Sequence, residues 1–274
     1  MKLIDSKVEI IEQQPGLEGV YKQIELAGRT CYKSEDKITE DSAKEFVDRM
    51  IKSKHGAMLE HGTVYLTTTD STVRSRYHDN KYSKVRWVGS FDEDDAAIMT
   101  YYITTNLRVL VENNWLNDLQ YISKPTEHHL KRITARFTCD RGVSHELVRH
   151  RTLSFAQEST RYCNYGKDKF GNELTFIKPS WYSKTLENKH GGFERFLEDC
   201  QSLYISLLDQ GYLPQEARAC LPNALKTEIV VTGFESDWDH FFSLRSPKAG
   251  AQGPHPDIAK LADELYEKLN SVNN

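Results

Sequence analysis

The stretch Arg149-His150-Arg151-Thr152-Leu153-Ser154-Phe155-Ala156-Gln157-Glu158-Ser159-Thr160-Arg161-Tyr162 holds three arginines, one histidine, four hydroxyl side chains before its closing tyrosine, and a single acid. A solvated surface alternates signs; this segment does not. Arginine offers a planar fork of donors that keeps its charge near neutral pH, which suits phosphates and planar anions. Two readings follow from the residues alone. The cations pair with acids elsewhere in the chain, or they line a pocket for an anionic ligand.

The surrounding chain is mildly acidic. It has 274 residues and a net charge of -4, from 36 Lys+Arg against 40 Asp+Glu. With 38% hydrophobic and 28% charged residues it reads as a globular protein long enough to bury a real core. A general nucleic-acid binder is usually basic overall, and aromatics are not interleaved through the basic segment, so nucleic acid is not an expected partner. No apolar run approaches the roughly 18–20 residues of a membrane span, and no membrane partner is expected. The opening MKLIDSKVEIIEQQPG carries acids within its apolar stretch, unlike a signal peptide. Five widely spaced cysteines (Cys31, Cys139, Cys163, Cys200, Cys220) form no CxxC and read as reduced thiols of a cytoplasmic protein.

Periodicity sketches the elements. Lys7 to Ile11, Thr63 to Thr69, Ile133 to Thr138 and Glu228 to Thr232 read as strands. Ile98 to Thr104 fits a strand or the start of a helix. Ser42 and Glu45 have capping-box spacing ahead of an apolar face at Phe46, Val47, Met50 and Ile51. Phe193 to Leu208 has the clearest amphipathic helical spacing, closed by Gly211. Pro256 suits the first turn of a last helix, with Ile258, Leu261, Leu265 and Leu269 inward. Helices and strands without regular alternation indicate an α+β (irregular α/β) fold, read as one domain over residues 1–274.

Several motifs fail on chemistry. Neither G-x-G-x-x-G nor G-x-x-x-x-G-K-[ST] occurs, so side chains must do more of any phosphate binding. His145 and His150 in HELVRH stand five apart, roughly 140° round a helix, and cannot share a zinc from one helical face. His55 and His61 flank Glu60 with no third cluster at ligand spacing, so no metal is expected.

Arg149-His150-Arg151, seven residues, then Ser159 and Arg161 resembles the signature of the flavin-dependent thymidylate synthases. Three further segments resemble that family in order: His55 with Glu60 and His61; Glu216 to Pro222 (EARACLP); and Trp238 to Arg245 (WDHFFSLR). The resemblance implies a central, mostly antiparallel sheet with flanking helices. It implies conversion of dUMP to dTMP, with 5,10-methylenetetrahydrofolate as one-carbon donor, FAD as hydride carrier and NADPH as its reductant. It further implies a homotetramer with active sites shared between subunits. By the same resemblance His55, Arg149, His150, Arg151, Gln157 and His240 face FAD. Glu146, Arg149, Gln157, Glu158, Ser159, Thr160, Arg161, Arg218 and Arg245 face the nucleotide. Arg245 is the catalytic candidate, stabilising the pyrimidine as an anion. Ser159 is then a contact rather than a nucleophile, since no histidine–acid pair activates it.

Three departures stand out. Phe234 and Ser236 occupy places where relatives often carry an N-x-R pair, Ala57 replaces a flavin-binding threonine of some members, and Ser246 to Pro254 is long, leaving the correspondence of His255 open. Two other readings differ in outcome: a flavoenzyme modifying C5 of another pyrimidine nucleotide, or a nucleic-acid-binding protein using the basic segment.

Overall fold

A computed structural model describes residues 1–91, 97–182 and 187–272. Its strands are β1 (Lys2–Ile4), β2 (Lys7–Ile11), β3 (Thr63–Thr68), β4 (Lys84–Phe91), β5 (Ala97–Asn106), β6 (Arg132–Asp140), β7 (Ser154–Gln157), β8 (Thr175–Ile177) and β9 (Lys226–Phe234). They form a four-stranded antiparallel sheet in the order β2-β6-β9-β7, a three-stranded antiparallel sheet β3-β5-β4, and a parallel pair β1-β8. The expected antiparallel character holds, spread over two sheets.

The α-helices are α1 (Gly16–Tyr32), α2 (Ser42–Lys52), α3 (Gly56–Leu59), α4 (Ser71–His78), α5 (Leu107–Glu112), α6 (Arg141–Leu147), α7 (Glu187–Asp209), α8 (Pro214–Ala217), α9 (Glu235–Arg245) and α10 (Pro256–Val272). Among the described residues no helix is long and apolar enough to cross a membrane.

The four-stranded sheet has a core on each face. Alternation along β6 and β9 sends Ala135, Phe137, Cys139, Ile229 and Val231 against Trp238, Phe241 and Phe242 of α9 and Ile258, Leu261 and Leu265 of α10. On the other side Val230 joins Val20, Ile24 and Ala27 of α1 and Phe46 and Val47 of α2. A strand covered on both faces is apolar at successive positions, and β9 reads Ile229-Val230-Val231.

The ambiguous Ile98–Thr104 run is a strand. It lies inside β5, which is hydrogen-bonded to β3 on one side and β4 on the other, and its β-branched and aromatic residues suit that pleated surface. The capping box at Ser42 does not form. Asp41 is the N-cap, and the Ser42 hydroxyl accepts from Thr39 N at 2.9 Å while donating to Glu25 Oε2 at 2.9 Å. Glu25 is 1% exposed, so its carboxylate needs donors; Arg29 and Ser42 supply them. The helix expected at Phe193 to Leu208 lies within α7, and Pro256 opens α10 as expected.

Candidate active site

Two anchored elements bring the catalytic candidate to the basic segment. Asp140 caps α6 by accepting from Val143 N at 2.8 Å, and α6 ends at Leu147, so the HELVRH histidines do not share a helix. Leu147 and Leu153 are buried in the core and hold the ends of the following turn. Between them Arg149 and Arg151 stay exposed while His150 is buried. On α9, Trp238, Phe241 and Phe242 fix one face in the core, and the Trp238 indole N–H donates to Ile133 O at 3.1 Å.

With both elements fixed, Arg245 at the end of α9 reaches the turn. Its Nη1 donates to Glu146 Oε2 at 2.5 Å, and its Nε donates to His150 Nε2 at 3.3 Å. The His150 ring lies 5.0 Å from Phe241 and 6.4 Å from His240, centroid to centroid. Burial, then Arg245 and His240, pull the His150 imidazole down to about 4. It is therefore neutral at pH 7, with Nε2 as the acceptor toward Arg245 and the proton on Nδ1.

This predicts an acid-side stability loss. An unfolded histidine protonates near its ordinary 6.5, whereas His150 stays neutral in the fold to about 4. The fully buried His61 is lowered further, to about 3, by burial and then Arg132. The contribution is complete above pH 6.5 and is lost as pH falls toward 4. Urea midpoints should decline through that window, and His150→Gln should flatten the decline. An identical slope in the variant would contradict the placement of His150.

Past β7 the basic segment turns to other partners. Gln157 Nε2 donates to Ser144 Oγ at 2.8 Å and Thr227 Oγ1 at 3.2 Å. Glu158, expected at the nucleotide, is instead 2% exposed and turned inward. One oxygen accepts from the Tyr165 hydroxyl at 2.8 Å; the other accepts from Lys226 Nζ at 2.9 Å and Glu228 N at 3.2 Å. Burial would raise the neighbouring Glu228, but Lys226 and Lys33 outweigh it and hold that carboxyl at about 2. A carboxylate so deep is stable only with such partners, which is why Glu158 is not free to meet a ligand.

Ser159 N donates to Cys31 O at 3.0 Å, which ties the segment to the end of α1. Thr160 is buried. Arg161 Nε donates to Gln215 Oε1 on α8 at 3.1 Å, and the exposed Arg218 begins the turn after α8. The Tyr162 ring packs on Tyr32 at 5.4 Å, and the Tyr32 hydroxyl lies 3.3 Å from His55 Nδ1. His55, Ser159 and Arg161 thus share a neighbourhood. Tyr32 and Tyr162, which link them, were not singled out in the sequence; an aromatic closing the basic segment was the available signal.

The expected residues therefore fall into two groups. Glu146, His150, His240 and Arg245 form one; His55, Ser159 and Arg161 form the other, to which the structure adds Gln215, and no hydrogen bond or ion pair joins them among the described residues. Arg151 lines a separate cavity of about 510 Å³ with Glu60, Lys84, Arg132, Leu153 and Phe234. Gly233 shapes its wall: a Cβ there would stand 2.2 Å from Leu153 Cδ2 and push that side chain aside. Ala57 is exposed on α3, and His255 is 57% exposed just before α10, where its Nδ1 accepts from Asp257 N at 3.3 Å. A larger cavity of about 690 Å³, among β2, β6, α9 and α10, is lined by none of the expected residues.

No cysteine is prepared as a nucleophile. Burial pushes the Cys31 thiol up to about 11 and Cys163 up to about 12, and raises Cys139, Cys200 and Cys220 as well.

Residues 95–273 match the family described as thymidylate synthase complementing protein. Among curated relatives, the flavin-dependent thymidylate synthase of Geobacter sulfurreducens is 39% identical over 132 residues, covering 48% of this chain and 53% of that protein. The flavin-dependent thymidylate synthase of Pyrococcus furiosus is 36% identical over 181 residues, covering 63% of this chain and 72% of that one. The chain thus spans about half the length of the first relative. A crystal structure of the UMP/dUMP methylase PolB from Streptomyces cacaoi, bound with 5-Br dUMP, aligns over 99% of this chain and 93% of that one. Its 19% identity and TM-score of 0.48 are too loose a likeness to bear on the site.

Proposed function

The chain belongs to the thymidylate synthase complementing proteins, the flavin-dependent thymidylate synthase family, and we propose that it carries out the reductive methylation of dUMP to dTMP. The one-carbon unit comes from 5,10-methylenetetrahydrofolate, and NADPH restores the reduced flavin. The observation that carries this reading is the meeting of Arg245 with Glu146 and His150, from segments 99 and 95 residues away in sequence.

At that meeting point a fixed positive charge can act on a pyrimidine. The Arg245 Nη2 makes no hydrogen bond among the described residues, and its guanidinium plane is held by Glu146 and His150. Aimed at a pyrimidine carbonyl and ring nitrogen, it lowers the cost of negative charge there and makes C5 more nucleophilic. Neutral His150 supports this, because an imidazolium beside Arg245 would repel it. The raised thiols support it as well: with no thiolate at hand, activation falls to the arginine. Ser159, Thr160 and Arg161 hold the nucleotide, with Arg218 adding a phosphate contact.

The residues present fit a flavin dinucleotide. Arg149 and Arg151 make no ion pair among the described residues, and Arg151 opens on a cavity where the buried Arg132 Nε also lacks a partner. His55, His150, Gln157 and His240 are the further contacts, and FAD when bound supplies the hydride. The separation of the two residue groups within one chain supports a homotetramer in which one copy completes another's site. The five unpaired cysteines suit the cytoplasm.

The test is release of tritium from 5-tritiated dUMP in the presence of FAD, NADPH and methylenetetrahydrofolate. Release dependent on all three is expected; none under those conditions would refute the reading.

A further inference from the structure

The cavity of about 510 Å³ beside Arg151 has more positive charge than its own acids answer. Arg108 is paired with both Glu60 and Glu112. Asp237 is occupied at the start of α9, where it accepts from Phe234 N at 3.1 Å. Lys81, Lys84, Arg132 and Arg151 remain, and none has a carboxylate within ion-pair distance among the described residues; Lys81 lies over the Tyr82 ring, 4.8 Å from its centroid. Arg132 Nη1 reaches only Glu60 O at 3.1 Å and Thr63 Oγ1 at 3.3 Å, and its Nε is buried without a partner. Burial lowers this guanidinium to about 10 against the opposing pull of Tyr65, Glu60 and Asp237, so it stays charged. A buried cation with no carboxylate in ion-pair contact is costly, and an anionic ligand reduces that cost.

The cavity also has a flat apolar wall, Phe234, with Lys84 Nζ 4.4 Å and Arg132 Cζ 5.6 Å from its ring centroid. Lys84 Nζ donates to Ser236 Oγ at 2.6 Å. That bond leaves two of its three protons for another acceptor. Lys84 comes from β4, outside the family match and outside the four segments that resemble the family.

We propose that Lys84, positioned by Ser236, is the cation this chain presents with Arg132 and Arg151 to a nucleoside diphosphate group in this cavity. Naming that group as the adenosine diphosphate half of a flavin dinucleotide rests on the reading above; the cavity's appetite for a diphosphate does not. Its volume falls within the range of about 300–1,000 Å³ usual for small-molecule sites. Lys84, held by the Ser236 hydroxyl, thus supplies the positive charge that relatives with an arginine in the Ser236 place draw from that side chain.

The experiment is calorimetric titration of the full chain with ADP and, separately, with FAD, using wild type, Lys84→Ala and Lys84→Arg. Lys84 is half-buried and in no ion pair, so the variants should unfold at the wild-type midpoint. ADP should bind wild type and weaken about tenfold or more in Lys84→Ala, with Lys84→Arg recovering most of the loss. FAD should follow the same order. Added salt should weaken ADP on wild type more than on Lys84→Ala. Absence of ADP binding to wild type, or equal ADP affinity in Lys84→Ala, would overturn the proposal. ADP binding that depends on Lys84 without any FAD binding would uphold it and refute the flavin reading instead.

Discussion

Arg245→Ala should lower methyl transfer by about 10²–10³-fold, the usual cost of removing one donor aimed at developing negative charge. The chain should remain folded, because Arg245 and Glu146 are partly exposed, with side chains at 21% and 32%, and such a pair adds little to stability. FAD absorbance should also survive, since Arg151 and the cavity it lines are untouched. Arg245→Lys keeps the charge but loses the planar fork that spans Glu146 and His150; it should fall between wild type and alanine. Tritium release measures the rate, and the flavin spectrum reports the cofactor. If Arg245→Ala purifies without flavin, the arginine holds the cofactor and its assignment to the pyrimidine is wrong.

Glu158→Ala should destabilise the fold by about 3–5 kcal/mol, the range for breaking a buried ion pair from one side. Both carboxylate oxygens are occupied, by Tyr165 on one and by Lys226 and Glu228 N on the other. Removing them leaves the Tyr165 hydroxyl, 6% exposed as a residue, without an acceptor. Lys226 keeps Glu228 at 2.7 Å, which places the loss toward the lower end. Glu158→Gln keeps the shape and one acceptor and should cost less. Urea unfolding gives the stability, and the KM for dUMP separates the roles. Unchanged stability with a raised KM would return Glu158 to the nucleotide, where the family resemblance put it.

The difference between those two placements marks how far the sequence could be read. Strands β2, β3, β6 and β9 and helices α2, α7 and α10 were legible because each buries a face of regular period, such as Ala135-Phe137 or Ile258-Leu261-Leu265. The β5 run was not, since only its pairing with β3 and β4 settles a segment that is apolar and aromatic in both periods. Strand β4 was missed for the opposite reason: most of it is exposed, with Trp87 and Phe91 at 53% and 75%, and it carries no burial pattern. The Ser42 capping box failed because a buried acid, Glu25, took the hydroxyl.

At the site, residue type and spacing isolated Arg149 to Arg161, and family order added Arg245, but neither reveals which way a side chain turns. Within Gln157-Glu158-Ser159 the segment changes partners at each residue: α6 and β9, the buried Lys226 network, then α1. Tyr32, Lys84 and Arg132 come from elements with no motif, and only the fold brings them to His55 and Arg151.

The most direct measurement is a mass spectrum of the nucleotide recovered after the full chain is incubated with dUMP, FAD, NADPH and 5,10-methylenetetrahydrofolate. The expected product is heavier than dUMP by one CH₂ group, forms only with the folate and the reductant present, and falls to trace levels with Arg245→Ala. Unchanged dUMP, or a product stopped at the hydroxymethyl stage, would contradict assignment as a thymidylate synthase.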